Sequence, residues 1–133
     1  MQKGFTIIEL IVVVAIIAVL AAIVAVNVIQ YIAKAKDASI IENLNTIATN
    51  ATVYFLDNGE YLLFDGTDEY IIPAAEIDKN NGDNDIAEIF ETDVYCVSSS
   101  LVTNQSIRWC IDSTGVNMKS ASCNLLLYKC VPD

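Results

Sequence analysis

The chain has 133 residues, of which 54% are hydrophobic, and 17 acidic against 7 basic residues give a formal net charge of −10. The length suits one modest domain, and the acidic balance argues against sequence-independent nucleic-acid binding, which requires clustered Lys and Arg. The chain contains no histidine, which excludes Ser–His and Cys–His catalysis and removes the commonest metal ligand. A chain this apolar and this acidic is expected to combine two regions of different character.

A long apolar segment lies near the N-terminus. Residues 10–26 are consecutive apolar residues, and residues 5–26 contain a single charge, at Glu9. Because a helix rises about 1.5 Å per residue, residues 5–26 would span about 33 Å, enough to cross a bilayer core. An ionisable residue within such a span is a functional-site hypothesis. The alternative is a carboxylate that lies at the level of the lipid headgroups.

The first ten residues carry a more specific pattern. A short leader containing Lys3 ends at Gly4 and is followed by Phe5, Thr6, two aliphatic residues, Glu9 and the apolar segment. This pattern resembles the N-terminal signature of bacterial type IV prepilins and type II secretion pseudopilins. The resemblance covers residues 1 to about 30. It implies an α+β pilin fold, in which a long N-terminal helix packs on a small antiparallel β-sheet head.

The resemblance also implies how such a chain matures and assembles. A prepilin peptidase in the membrane would cut between Gly4 and Phe5 and methylate the new N-terminus at Phe5. The apolar helix would hold the protein in the inner membrane, and the pilus assembly machinery would then polymerise identical copies into an extracellular filament. Glu9 would form a salt bridge with the Phe5 amine of an adjacent subunit. No cofactor, metal, catalytic residue or direct nucleic-acid contact is expected.

Two positions depart from the common pattern of this family. Ala18 stands where many pilins have Gly halfway through the apolar segment, and Val26 stands where many have Pro. Because Pro removes a backbone donor and clashes with the preceding turn, its absence removes one cause of helix melting. Whether the helix melts near Val26 in a filament is therefore an open question at this point.

The helix is predicted to continue beyond the apolar segment. Residues 5–58 are predicted as one helix, apolar over 5–26 and amphipathic over 27–58, because apolar residues recur at spacings near three and four. The members of this stripe are Ile29, Ile32, Ile40, Leu44, Ile47, Ala51 and Tyr54. The helix should end at Asp57-Asn58-Gly59, where Asn or Gly can adopt the left-handed conformation.

Residues 59–93 are predicted to form an acidic connecting loop region, with a short helix at 86–91. Residues 57–93 contain twelve acidic residues and one base. Within them, Asp78, Asn80 and either Asp83 or Asp85 resemble a calcium loop in composition, because calcium prefers oxygen ligands. The spacing does not fit an EF-hand, and the alternative is a solvated turn rich in Asn, Asp and Gly.

Residues 94–133 are predicted to form a disulfide-bonded β region. Residues 94–98 and 106–111 alternate and are rich in strand formers, residues 112–115 indicate a turn, and residues 125–128 are predicted as the last strand. Four cysteines occur, all in the last 38 residues: Cys96, Cys110, Cys123 and Cys130. In an exported region this predicts two disulfides, with zinc as the competing interpretation.

Three disulfide pairings are possible. A hairpin in which Ser98 faces Arg108 would place Cys96 opposite Cys110, and it would leave Cys123 to pair with Cys130. We favour this pairing on the sequence.

Three functions fit these observations. The leading hypothesis is a structural subunit of a type IV pilus, serving adhesion, motility or DNA uptake. The alternative is a pseudopilin of a type II secretion system, because residues 56–61 resemble the helix exit of the major pseudopilins. The third is a membrane-tethered enzyme or binding domain, which no catalytic motif supports.

Overall fold

The computed structural model describes residues 4–82 and 85–132. The chain divides into two compact units, Met1–Ala33 and Lys34–Asp133, which are described separately below. The first helix, α1, extends over Ile7–Asn58 and so contributes to both units. The predicted α+β class is confirmed, with a long N-terminal helix, antiparallel sheets and two disulfides.

The first unit is dominated by the apolar half of α1. Every residue from position 7 to position 25 is solvent-exposed, although nearly all of them are apolar. Among the described residues, α1 is the one helix long and apolar enough to cross a membrane. The backbone is helical through position 26, where the sequence left open whether the helix melts in a filament.

The second half of α1 supplies one wall of the core of the second unit. Ile40, Leu44, Ile47 and Ala51 are all fully buried, and they belong to the predicted apolar stripe. The helix ends where the sequence predicted, because Gly59 adopts φ +79° and its N–H donates to the Phe55 carbonyl at 2.8 Å. Ile29 and Ile32, which lie in the first unit, are exposed instead.

The segment after α1 is not the loop region that the sequence predicted. It contains a 3₁₀ helix and a second α-helix, and residues 86–90 form a strand, so the short helix predicted at 86–91 is wrong. These elements are η1 (Phe64–Gly66), α2 (Asp68–Asn81) and β1 (Ile86–Phe90). Phe64 is fully buried, whereas Leu63 before it is exposed and adopts φ 69°.

A proline inside α2 explains why this helix was hard to predict. Pro73 has no N–H and therefore leaves the carbonyl of Glu69, four residues earlier, without its helical donor. The amide nitrogen of Asn50 on α1 donates to that carbonyl at 2.8 Å. A side chain from a distant part of the sequence thus compensates for the missing helical bond.

The strands form two antiparallel sheets. A four-stranded sheet has the order β1-β2-β3-β4, and a separate two-stranded ribbon pairs β5 with β6. The strands after β1 are β2 (Tyr95–Leu101), β3 (Asn104–Asp112), β4 (Asn117–Lys119), β5 (Ala121–Asn124) and β6 (Lys129–Pro132). Every residue of β2 is buried. Residues 125–128, predicted as the last strand, instead form the turn between β5 and β6.

Candidate processing and assembly site

The peptide bond predicted to be cut lies just before α1. Residues 4–6 are not helical, and both Gly4 and Phe5 are exposed, with 77% of Phe5 accessible. A Cβ added at Gly4 would meet no atom within 4 Å. Packing in the isolated chain therefore does not require glycine here, and the bond is open to an enzyme. Lys3 of the leader lies outside the described residues.

Thr6 and Glu9 form a reciprocal cap on the start of α1. The Thr6 N–H and hydroxyl donate to Glu9 Oε2 at 2.9 and 2.7 Å, and the Glu9 N–H points to the Thr6 hydroxyl oxygen at 3.4 Å. This is a capping box, in which the first residue before a helix and the third residue within it satisfy each other's backbone donors. This role of Thr6 was not among the predictions, although the Thr-x-x-Glu spacing is a local signal for it.

The cap gives Glu9 a partner within its own chain. A carboxylate in the first turn is also favoured by the partial positive charge of the helix N-terminus. Both bonds from Thr6 go to Oε2, and within residues 4–82 and 85–132 no hydrogen bond is made by Oε1. Glu9 can therefore accept a further donor while it caps the helix. Phe5, Ile8 and Glu9 line part of one open groove of about 370 Å³.

Comparison with known families matches this end of the molecule. Residues 1–25 fit the model of the prokaryotic N-terminal methylation motif. The chain carries the prepilin signature of type IV pilins and pseudopilins. Pilin-type subunits are structural proteins that a prepilin peptidase processes before they assemble into filaments. The prepilin match covers the N-terminus and is common to pilus and secretion subunits. No curated protein and no solved structure gives a significant match to the chain.

The other predicted site, the four cysteines, comes together as one cluster, in which Cys96, Cys110 and Cys130 are buried and Cys123 is partly exposed. Disulfides join Cys96 to Cys123 at 2.10 Å and Cys110 to Cys130 at 2.06 Å. The favoured pairing of Cys96 with Cys110 and of Cys123 with Cys130 is therefore wrong. All four sulfurs are bonded, so the zinc interpretation fails as well.

The register of the sheet explains the correction. Ser98 faces Cys110 rather than Arg108, and Cys96 faces Asp112, so β3 is displaced by two residues from the expected hairpin. A shift of two keeps every side chain on its expected face, and the sulfurs of Cys96 and Cys110 still lie 3.5 Å apart. The β5–β6 ribbon then supplies the bonding partners. Cys123 on β5 bonds to Cys96, and Cys130 on β6 bonds to Cys110.

A buried carboxylate supports this cluster. Asp112 is 2% exposed, and its Oδ2 accepts the Cys130 N–H at 2.8 Å. Its Oδ1 accepts the N–H and hydroxyl of Thr114 at 2.9 and 2.6 Å and the Val116 N–H at 3.3 Å. Asp112 thus joins the β3–β4 turn to the last strand.

The residues proposed as a calcium loop are used differently. Asp78 and Asn80 belong to α2, and the Arg108 guanidinium donates a hydrogen bond to Asp85 Oδ1 at 2.8 Å. Burial alone would raise the pKa of Asp85, but hydrogen bonds from Ser100 and Arg108 and the charge of Arg108 lower it below its ordinary value. The described candidates therefore form a helix end and an ion pair, and Asp83 lies outside the described residues.

Proposed function

We propose that the chain is a structural subunit of a type IV pilus, cut between Gly4 and Phe5, methylated at Phe5, and polymerised through the apolar half of α1. The observation that carries the proposal is that every residue from 7 to 25 is exposed, in a chain whose buried core lies elsewhere. So large an apolar surface needs lipid or other protein around it. A precursor in the inner membrane and a subunit in an extracellular filament meet that need in turn, and neither requires catalysis by this chain.

Glu9 is proposed to direct assembly through charge. In a bundle of identical apolar helices an unpaired carboxylate is costly, and breaking a buried ion pair typically costs about 3–5 kcal/mol. The Phe5 amine created by cleavage would supply the cation from an adjacent subunit. The Glu9 oxygen left open by the Thr6 cap supports this pairing, because the helix cap need not break when the amine arrives.

The experiment separates the charge of Glu9 from its capping role. In Glu9→Gln the amide oxygen can still serve the capping box, whereas the charge is lost. In Thr6→Val the charge stays and the cap is weakened, at a cost of about 1 kcal/mol. We expect surface-sheared fibres from the wild type, starting at N-methylated Phe5 by mass spectrometry. Thr6→Val should still give fibres, and Glu9→Gln should give none.

Several outcomes would contradict the proposal. A wild-type chain found only in the membrane with Met1 intact would refute processing and assembly together. Fibres from Glu9→Gln at the wild-type yield would refute the role of the charge alone. Loss of protein secretion, rather than of surface fibres, in a deletion strain would indicate a pseudopilin, the function to which residues 56–61 point.

A further inference from the structure

An apolar turn on the second unit is largely exposed. Residues 125–128, here called the leucine turn, join β5 to β6. Leu125, Leu126 and Leu127 are 74%, 88% and 55% exposed. Three adjacent leucines at these exposures are unusual for a surface hairpin, where polar residues and glycine dominate. The turn therefore presents an apolar contact surface.

The leucine turn is held in one conformation. Asn124 Oδ1 accepts the N–H groups of Leu126 and Leu127 at 2.9 and 3.0 Å, and the Tyr128 N–H donates to the Asn124 carbonyl at 2.8 Å. The disulfides at Cys123 and Cys130 fix the strands on either side. A surface ordered in advance loses little conformational entropy when it binds.

A complementary surface lies between α2 and β1 of the same unit. This surface, here called the acidic groove, has a volume of about 340 Å³. Its lining is Tyr70, Ile71, Ala74, Ala75, Asp78, Ile86 and Glu88. The walls are mainly apolar, and Ile71 is 47% exposed. Leucine side chains that enter the groove would therefore displace water from its apolar walls, which is favourable.

The two surfaces are also complementary in charge. Residues 57–93, which include the acidic groove, contain twelve acidic residues and one base. Lys129 directly follows the leucine turn and is exposed. Within the described chain neither Lys129 nor Glu88 makes an ion pair. Desolvation and the negative charge of Asp65 raise the pKa of Glu88, so a cation placed beside it would be favourable.

We propose that the leucine turn of one copy docks into the acidic groove of the next copy, with Lys129 beside Glu88. The two surfaces are different parts of one chain, so the contact can be heterologous and repeat from copy to copy into an open helical array. The inference rests on the proposed function, since it assigns a lateral contact within that filament. A lipid surface would cover the leucines but would leave the acidic groove unfilled, and a homopolymer supplies both surfaces in equal numbers.

Photo-crosslinking and a charge swap test this contact in full-length chains assembled on cells. A benzophenone amino acid at position 126 should crosslink, in sheared fibres, to peptides from residues 68–90 of another copy. Lys129→Glu and Glu88→Lys should each lower fibre yield roughly tenfold, because they place like charges together. The double variant should recover most of the yield. Lys119→Glu, an exposed lysine on β4, makes the same charge change away from the turn and should have little effect.

The possible results separate this contact from the proposed function. Crosslinks to lipid or to other parts of the head, or a double variant as poor as the single variants, would overturn the contact while wild-type fibres persist. If the wild type forms no fibres, the proposed function fails and the contact fails with it. Unchanged melting temperatures of the single variants would verify that lost fibres do not reflect lost folding.

Discussion

Replacement of Asp112 by Asn tests whether one buried carboxylate holds the end of the chain in place. Asp112 accepts four hydrogen bonds through two oxygens, and three of the donors are backbone N–H groups. In Asp112→Asn the amide oxygen can replace Oδ1 towards Thr114 and Val116. The amide nitrogen must then face the Cys130 N–H, so a buried donor loses its acceptor, which costs about 1–3 kcal/mol.

This cost should be visible as a lower melting temperature. For a unit of this size 1 kcal/mol shifts the melting temperature by about 4–8 °C, so Asp112→Asn should melt roughly 5–20 °C below the wild type. Asp112→Ala loses all four bonds and, at roughly 1 kcal/mol each, should lose about 4 kcal/mol. The fluorescence of the single tryptophan, Trp109 on β3, reports unfolding of the full chain in detergent.

The matched control is Asp93→Asn, which removes the same charge from an exposed residue. It should leave the melting temperature nearly unchanged. If Asp112→Asn melted together with this control, the hydrogen bonds of Asp112 would not stabilise the fold and the reasoning would be refuted.

Three further predictions concern the second unit. The folded-state pKa of Asp85 is lowered, so its ion pair stabilises the fold at neutral pH and is lost on acidification. In urea titrations, the free energy of unfolding of the wild type should therefore fall more steeply below about pH 4 than the free energy of unfolding of the Asp85→Asn variant. Removing the Cys96–Cys123 disulfide, whose cysteines are 27 residues apart, should cost about 3–4 kcal/mol in the same titrations; peptide mapping that linked Cys96 to Cys110 would contradict the pairing. Leu63→Gly should raise the free energy of unfolding by about 0.5–1 kcal/mol, because glycine adopts the left-handed conformation without strain; an unchanged or lower value would argue against strain at Leu63.

Local patterns in the sequence predicted the first helix, α1. The apolar segment, the spacing of Ile40, Leu44 and Ile47, and the glycine after Asn58 each act over a few residues, so they could be interpreted without tertiary structure. The Thr6–Glu9 cap is equally local. A carboxylate in an apolar segment first suggests a charge in a membrane, which obscures its position as the third residue of a helix.

The errors lie where distant contacts decide the structure. The high density of acids suggested a loop in place of α2, which also contains Pro73, and Asn50 compensates the proline from 23 residues earlier. Residues 86–90 become a strand because they pair with β2, a contact that their own composition does not encode. The disulfide pairing depended on a register between β2 and β3, which is set by packing of the whole head.

The disulfide cluster has a mechanical consequence. Residues 96–130 are closed by two covalent bonds that link β2 to β5 and β3 to β6. Under tension applied between α1 and the last strand, the length released by breaking hydrogen bonds comes mainly from residues 59–95. At about 3.4 Å per residue this segment can extend by no more than roughly 130 Å. Beyond that limit the load falls on covalent bonds, so the head would act as a tether of fixed maximum length that continues to bear force after its sheet has opened.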